Sequence, residues 1–191
     1  MRNKIFKKLS KLYILKRIYL ERLGEPLIYN IISLFVLIFG NIRLKIKYDL
    51  VPRESYAYGI LAAADLAKSH NINKISIIEF GVASGNGLLN MCYIAEKVTK
   101  LTGVKFEILG FDSGEGMPAP LDYRDHPEKY FTGDFPPINQ DKLIANLPKN
   151  AKLILGDIKD SLFEIEKKIT SPIGFVSVDV DYYSSTLDCL N

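Results

Sequence analysis

The sequence predicts an α/β fold: a doubly wound, mostly parallel sheet with helices on both faces. Three observations carry this reading. Short apolar runs alternate with segments of helical period through residues 75–188, the order in which parallel strands and crossover helices follow one another. The runs KISIIEF, KFEILGFD, AKLILGD and IGFVSVDVD are rich in apolar residues from end to end, as strands buried on both faces are. The first run leads straight into the glycine-rich turn GVASGNG, a strand–loop–helix entry that ligand-binding sheets of this kind use.

The chain has 191 residues, 48% hydrophobic and 25% charged, enough for one domain with a true core and unlike a disordered chain. Its net charge of +3 hides an asymmetry: residues 1–22 carry eight Lys/Arg against Glu21 alone, while the remainder is net negative. A basic arm on a mildly acidic body argues against a nucleic-acid partner. Cys92 and Cys189 lie far apart and outside any CxxC or Cys/His cluster. That argues against a disulfide framework or a zinc site and fits a reducing, cytoplasmic setting.

Residues 1–51 read as an N-terminal helical extension. Ile5, Leu9, Leu12, Leu15 and Tyr19 recur at helical spacing, with most of the lysines elsewhere, as in a basic amphipathic helix. Such helices mostly pack on their own domain or on a second subunit. Packing on the chain's own domain or, as a homo-oligomer through these helices, on a second copy is therefore the first expectation, and peripheral contact with a membrane the second. LIYNIISLFVLIF, residues 27–39, is apolar except for Asn30 and Ser33. A bilayer span takes about 20 residues, so this run reads as a buried or subunit-facing helix. No small-residue cleavage site follows it, against a signal peptide.

The body, residues 52–191, opens with a helix over PRESYAYGILAAADLAKSH, with Pro52 near its start. Strand KISIIEF, the glycine turn, a helix over residues 88–100 and strand KFEILGFD follow. Residues 121–138, polar and proline-containing, form a long connection of the kind that serves as a lid or substrate loop. NQDKLIANL is a short helix stopped by Pro148, and AKLILGD is a third strand. Residues 160–169 form a helix, and IGFVSVDVD is the fourth strand. SSTLDCL opens the last helix, with Ser185 and Asp188 at capping-box spacing.

The strands end in Glu79, Asp112, Asp157 and Asp179, with Asp181 just beyond. Acidic side chains thus gather at the carboxyl rim, where such sheets bind ligands. The loop reads Glu79-x-Gly81-x-x-x-Gly85-x-Gly87. Counted from Gly85 and Gly87, the third place of a nicotinamide G-x-G-x-x-G fingerprint is Asn90, and the Gly-Lys-Ser/Thr of a P-loop is absent. Anionic phosphates would also suit these carboxylates badly. S-adenosylmethionine suits them better: it offers a sulfonium, an ammonium, a ribose diol and an adenine amine to carboxylate acceptors.

IIEFGVASGNG, GFDSGEGMP, LILGD and FVSVDVDYYSST resemble, in order, the motifs of class I S-adenosylmethionine-dependent methyltransferases, whose fold is Rossmann-like. GFDSGEGMP and DVDYYSST look like the macrocin O-methyltransferase branch, whose members typically methylate sugar hydroxyls. The resemblance covers residues 52–191. It implies that Gly81, Gly85 and Gly87 wrap the methionine part, with Glu79 supporting the loop or the amino group. It further implies Asp112 on the ribose diol with Ser113 beside it, and Asp157 with Ile158 against the adenine. Asp179 would match the family's metal-binding aspartate, with Asp181 beside it. A divalent metal such as Mg2+ there would hold the acceptor oxygen and lower its pKa; without metal, Asp179 would be a general base. His126, in the long loop, is a second catalytic candidate that could position or deprotonate the acceptor.

The expected function is O-methylation of a hydroxyl on a small-molecule acceptor: a sugar, a glycosylated natural product or a polysaccharide. The alternative is a non-catalytic cofactor-binding or scaffold fragment, peripheral to a membrane. The family's sheet usually continues past its fourth strand, whereas this sequence covers the first four, so the domain reads as C-terminally truncated.

Overall fold

The computed structural model describes residues 12–22, 24–136, 139–162 and 169–190. Four strands, β1 (Lys74–Phe80), β2 (Lys105–Asp112), β3 (Ala151–Leu155) and β4 (Ile173–Val178), form one sheet in the order β3-β2-β1-β4. Every pairing is parallel, with Ile77 opposite Ile108 and Phe175, and Phe111 opposite Ile154. The fold is therefore α/β and Rossmann-like. Strand order reverses between β1 and β4, so a crevice opens beyond the carboxyl ends of those two strands.

Among the described residues, eight α-helical segments accompany the sheet. The chain is helical over residues 12–21 (α1), with Arg17–Glu21 in π geometry, followed by α2 (Leu27–Phe39) and α3 (Ile42–Lys47). Then come α4 (Glu54–Ser69), α5 (Asn86–Thr102) and α6 (Gln140–Asn146). The helix α7 is described over residues 158–162, and α8 spans Tyr183–Leu190.

The two central strands, β1 and β2, are apolar along most of their length because both their faces are buried, whereas the outer strands β3 and β4 are only partly covered. Ile75 and Ile77 of β1, with Phe106 and Ile108 of β2, face α4 and α5 and share one large core with Ala57, Ile60, Leu88, Met91 and Ile94. Ile78, Phe80, Leu109 and Phe111 alternate to the other face, where Ile154, Ile158, Leu162 and Val180 pack on them. Burial of each such large side chain contributes about 1.5–3 kcal/mol, so register is strongly specified. At the β4 edge Val176 and Val178 stay partly exposed.

The N-terminal helices depart from expectation. Ile5 and Leu9 lie outside the described residues. Leu12, Leu15 and Tyr19, read from sequence as the packing face of α1, point outward, while Ile14 and Ile18 pack with Val36 and Leu50. The run over residues 27–39 is helical, but within this chain it buries only Ser33 and Val36. Spacing predicts that a face exists; it does not say which side the protein covers. Among the described residues, no helix is long and apolar enough to cross a membrane.

α8 begins at Tyr183 rather than at a Ser185 cap. Ser184 there bonds to Asp125, and Asp188 pairs with Lys159 at 3.4 Å, so the expected capping box does not form.

Candidate functional site

A cavity of about 520 Å³ lies over the carboxyl ends of the strands. The glycine turn forms its floor. Gly81 has φ +82, and a Cβ there would meet the carbonyl oxygen of Asp179 at 2.0 Å, so only glycine lets β1 and β4 end this close together. Gly87 opens α5, and a Cβ there would fall 1.9 Å from Glu79 Oε1. Gly85, also at positive φ, lies under Leu143 of α6 and is not part of the cavity wall. No side chain caps the start of α5, whose first residues, Asn86 and Gly87, line the cavity. Such an end favours a negatively charged group.

Glu79 is the most buried acid of the rim, at 1% exposure. Its Oε1 accepts a hydrogen bond from the Tyr56 hydroxyl at 3.0 Å, while its Oε2 is buried without a partner. Burial pushes its pKa up to about 7, against the pull of the Tyr56 hydrogen bond and Arg53. The Tyr56 hydroxyl is likewise pushed up to about 12, chiefly by burial. An orphaned carboxylate oxygen in a cavity wall is an acceptor waiting for a donor.

Asp112 sits at the end of β2 and uses its carboxylate to close the turn. Oδ2 accepts from the N–H groups of Val82 and Ala83, each at 2.8 Å, and Oδ1 from Gly114 N–H at 2.9 Å. Of about four lone-pair sites on a carboxylate, three are occupied. Ser113 beside it donates to the Gly116 carbonyl at 2.8 Å. Asp157 accepts from Lys159 N–H at 2.9 Å and so starts α7, and with Ile158 it lines the cavity.

Asp179 and Asp181 line the same cavity. Asp179 Oδ2 lies 3.4 Å from Arg53 Nη1. Among the described residues, no group of three or more His, Cys, Asp or Glu side chains gathers as a metal cluster would. Two carboxylates, one of them held by a guanidinium, make a thin donor set for a hard divalent cation, so the residues present do not fit a resident metal.

His126 stands apart. Its ring is 62% exposed, pairs with Glu128 at 3.0 Å and does not line the cavity. The inward residue of that loop is its neighbour Asp125, 1% exposed, which accepts from Leu121 N–H and twice from Ser184. The loop is also clasped to itself beside the cavity, which Met117 and Asp134 line: Met117 N–H donates to Asp134 O and Gly133 N–H to Met117 O, each at 2.8 Å.

Sequence reasoning missed Arg53. It precedes α4 in a left-handed conformation, φ 50, and lines the cavity. Its guanidinium donates to the Tyr56 hydroxyl at 3.2 Å and reaches Asp179, 126 positions away. Its only sequence signal is its place just after Pro52, which marks a helix start and not a site. The acids of the lining are Glu79, Asp112, Asp134, Asp157, Asp179, Asp181 and Asp188, against Arg53 and Lys159 as the cations. The cavity therefore suits a cationic ligand bearing hydroxyl and amine donors.

Comparison of the sequence with protein-family profiles and with curated proteins finds no match. Among solved structures the chain is similar to the crystal structure of CalS11, a calicheamicin methyltransferase. The TM-score is 0.53 and the identity 17%, over 96% of this chain and 70% of that one. The chain thus shares its α/β fold with that methyltransferase.

Proposed function

We propose that the chain binds S-adenosylmethionine in this cavity and transfers its methyl group to a hydroxyl of a sugar or glycosylated natural product. The observation that carries the reading is the orphaned, buried Glu79 carboxylate oxygen in an acid-rich cavity over the glycine turn. That set of acceptors, with the backbone N–H groups at the start of α5, fits the molecule. Glu79 takes the ammonium, the uncapped start of α5 takes the carboxylate, and the free acceptor site of Asp112 takes the ribose diol. Ile158 supplies an apolar wall for the adenine, with Asp157 at its edge. The sugar acceptor follows from the likeness of GFDSGEGMP and DVDYYSST to the macrocin branch, and it agrees with CalS11's being a methyltransferase of a natural product.

When bound, the cofactor supplies an electrophilic methyl group. The protein's work is to align the acceptor oxygen with it, which can account for several kcal/mol of the barrier, and to exclude water. The loop clasp at Met117 serves the second task. Asp179 takes the acceptor's proton as general base, with Arg53 beside it holding the carboxylate in place. No step is assigned to Mg2+, because Asp179 and Asp181 alone do not make a site for it.

Calorimetry with S-adenosylmethionine tests the reading. Saturable binding is expected, weakened in Glu79→Gln; no heat from well-folded protein overturns it. Given binding, release of labelled methyl groups to a panel of glycosides tests the acceptor.

A further inference from the structure

Helix α2 is built inside out. Its two polar residues face the protein: buried Ser33 accepts from Arg22 Nη1 at 3.1 Å, and Asn30 Nδ2 donates to Arg22 O at 3.3 Å. Its largest apolar residues face outward. Leu27, Ile28, Ile31, Phe35, Ile38 and Phe39 are 55–73% exposed. Residues 28, 31, 35 and 38 follow one helical stripe, and the rings of Phe35 and Phe39 adjoin at 4.9 Å between centroids. The same inversion holds in α1, where Leu12, Tyr19 and Leu20 are more than half exposed while Ile14 and Ile18 are buried. Scattered exposed apolar residues are ordinary; a continuous stripe of this size marks an interaction surface.

Charge decides what covers it. The first 22 residues of the sequence carry eight Lys/Arg and one Glu, and Arg43, Lys45 and Lys47 follow α2. A second copy would bring that positive charge against its own like, whereas an anionic lipid surface neutralises it. Tyr13, Tyr19 and Tyr29 are 41–55% exposed, and such rings favour the headgroup level, with an apolar body and a polar tip. With 13 residues, α2 is about 20 Å long. That is too short for a hydrocarbon core of about 30 Å and suited to lying in the interface plane.

We propose that the N-terminal helices seat the chain on the surface of an anionic bilayer, with the α2 stripe in the acyl boundary and the lysines of the extension among the headgroups. The arginines Arg17, Arg22 and Arg43 are paired with Asp49, Glu25 and Asp65 of the chain itself. This stands apart from the cofactor reading, since none of the residues involved lines the cavity.

The sequence has no tryptophan, so Phe35→Trp provides a single reporter. With vesicles of phosphatidylcholine and phosphatidylglycerol in equal parts, the full chain is expected to float with the lipid and the emission to shift to the blue. High salt weakens the binding, and pure phosphatidylcholine captures far less protein. The double substitution Ile31→Asp/Phe35→Asp, at exposed positions, abolishes flotation while far-UV dichroism and melting stay unchanged. Failure of the intact chain to float with anionic vesicles overturns the proposal. So does equal capture by both vesicle types, or a lipid-free blue shift that tracks a concentration-dependent dimer in sedimentation.

Discussion

Ser184 donates both its backbone N–H and its hydroxyl to the carboxylate of Asp125, at 2.9 and 2.8 Å, and so ties the long loop to the first turn of α8. Leu121 N–H adds a third bond from within the loop, at 2.8 Å. Asp125→Ala leaves three donors without their acceptor and is expected to cost about 3 kcal/mol, read from denaturant unfolding. Burial by itself would raise the pKa of Asp125, but the bonds from Ser184 and Leu121 prevail and hold it below the ordinary carboxylate value. A depressed carboxylate contributes stability above its unfolded pKa of about 4 and loses it as pH falls through the lower folded value. Limited proteolysis of the loop is therefore expected to accelerate in acid, and Asp125→Asn is expected to remove that dependence.

Glu79 has the opposite sign. Its folded pKa of about 7 lies above the ordinary 4.5, with burial as the main cause. The folded state holds this proton more tightly, so the group's contribution falls as pH rises from about 4.5 to about 7, by on the order of 3 kcal/mol in total. Glu79→Gln is expected to flatten that slope and to melt higher than the parent at pH 8, while binding S-adenosylmethionine more weakly. A parent chain as stable at pH 8 as at pH 5 would count against a buried Glu79.

Gly87→Ala places a methyl group against Glu79 Oε1. The expected cost is about 1–3 kcal/mol, with a matching loss of cofactor affinity. Because the clash is with one side chain, the double variant with Glu79→Ala is expected to be strongly non-additive. Additive melting shifts would place the strain elsewhere.

His126→Ala is expected to change neither stability nor methyl transfer. The ring is exposed, its partner Glu128 is exposed, and solvent-screened pairs of that kind contribute little to stability. A fall in turnover with cofactor binding intact would return His126 to the acceptor site.

The four strands were legible as short apolar runs between turn signals, a pattern that burial on both faces imposes on β1 and β2 and that β3 and β4 share although they are only partly covered. The acidic rim followed from them, since a strand end in a parallel sheet is a place as well as a residue. Arg53 was not legible: its role depends on β4 ending beside the start of α4, a contact between distant parts of the chain. Nor was the choice between Asp125 and His126, adjacent polar residues of one loop that differ only in which faces α8. The extension failed for a related reason. Ile14 and Ile18 pair at helical spacing as well as Leu12, Leu15 and Tyr19 do, and only the position of Val36 and Leu50 selects between them.

The joint between extension and body occupies very little chain. Leu50 belongs to the small core beneath α2, Val51 to the main core, and Arg53 to the cavity wall. The Pro52 carbonyl is gripped by Asn90 of α5 at 3.2 Å, and Arg43 of α3 forks onto Asp65 of α4 at 2.6 and 2.7 Å. There is no slack here for a flexible tether. Arg53, which reaches Asp179 beyond the end of β4, therefore stands only a few residues from a joint held on both sides by packing and hydrogen bonds.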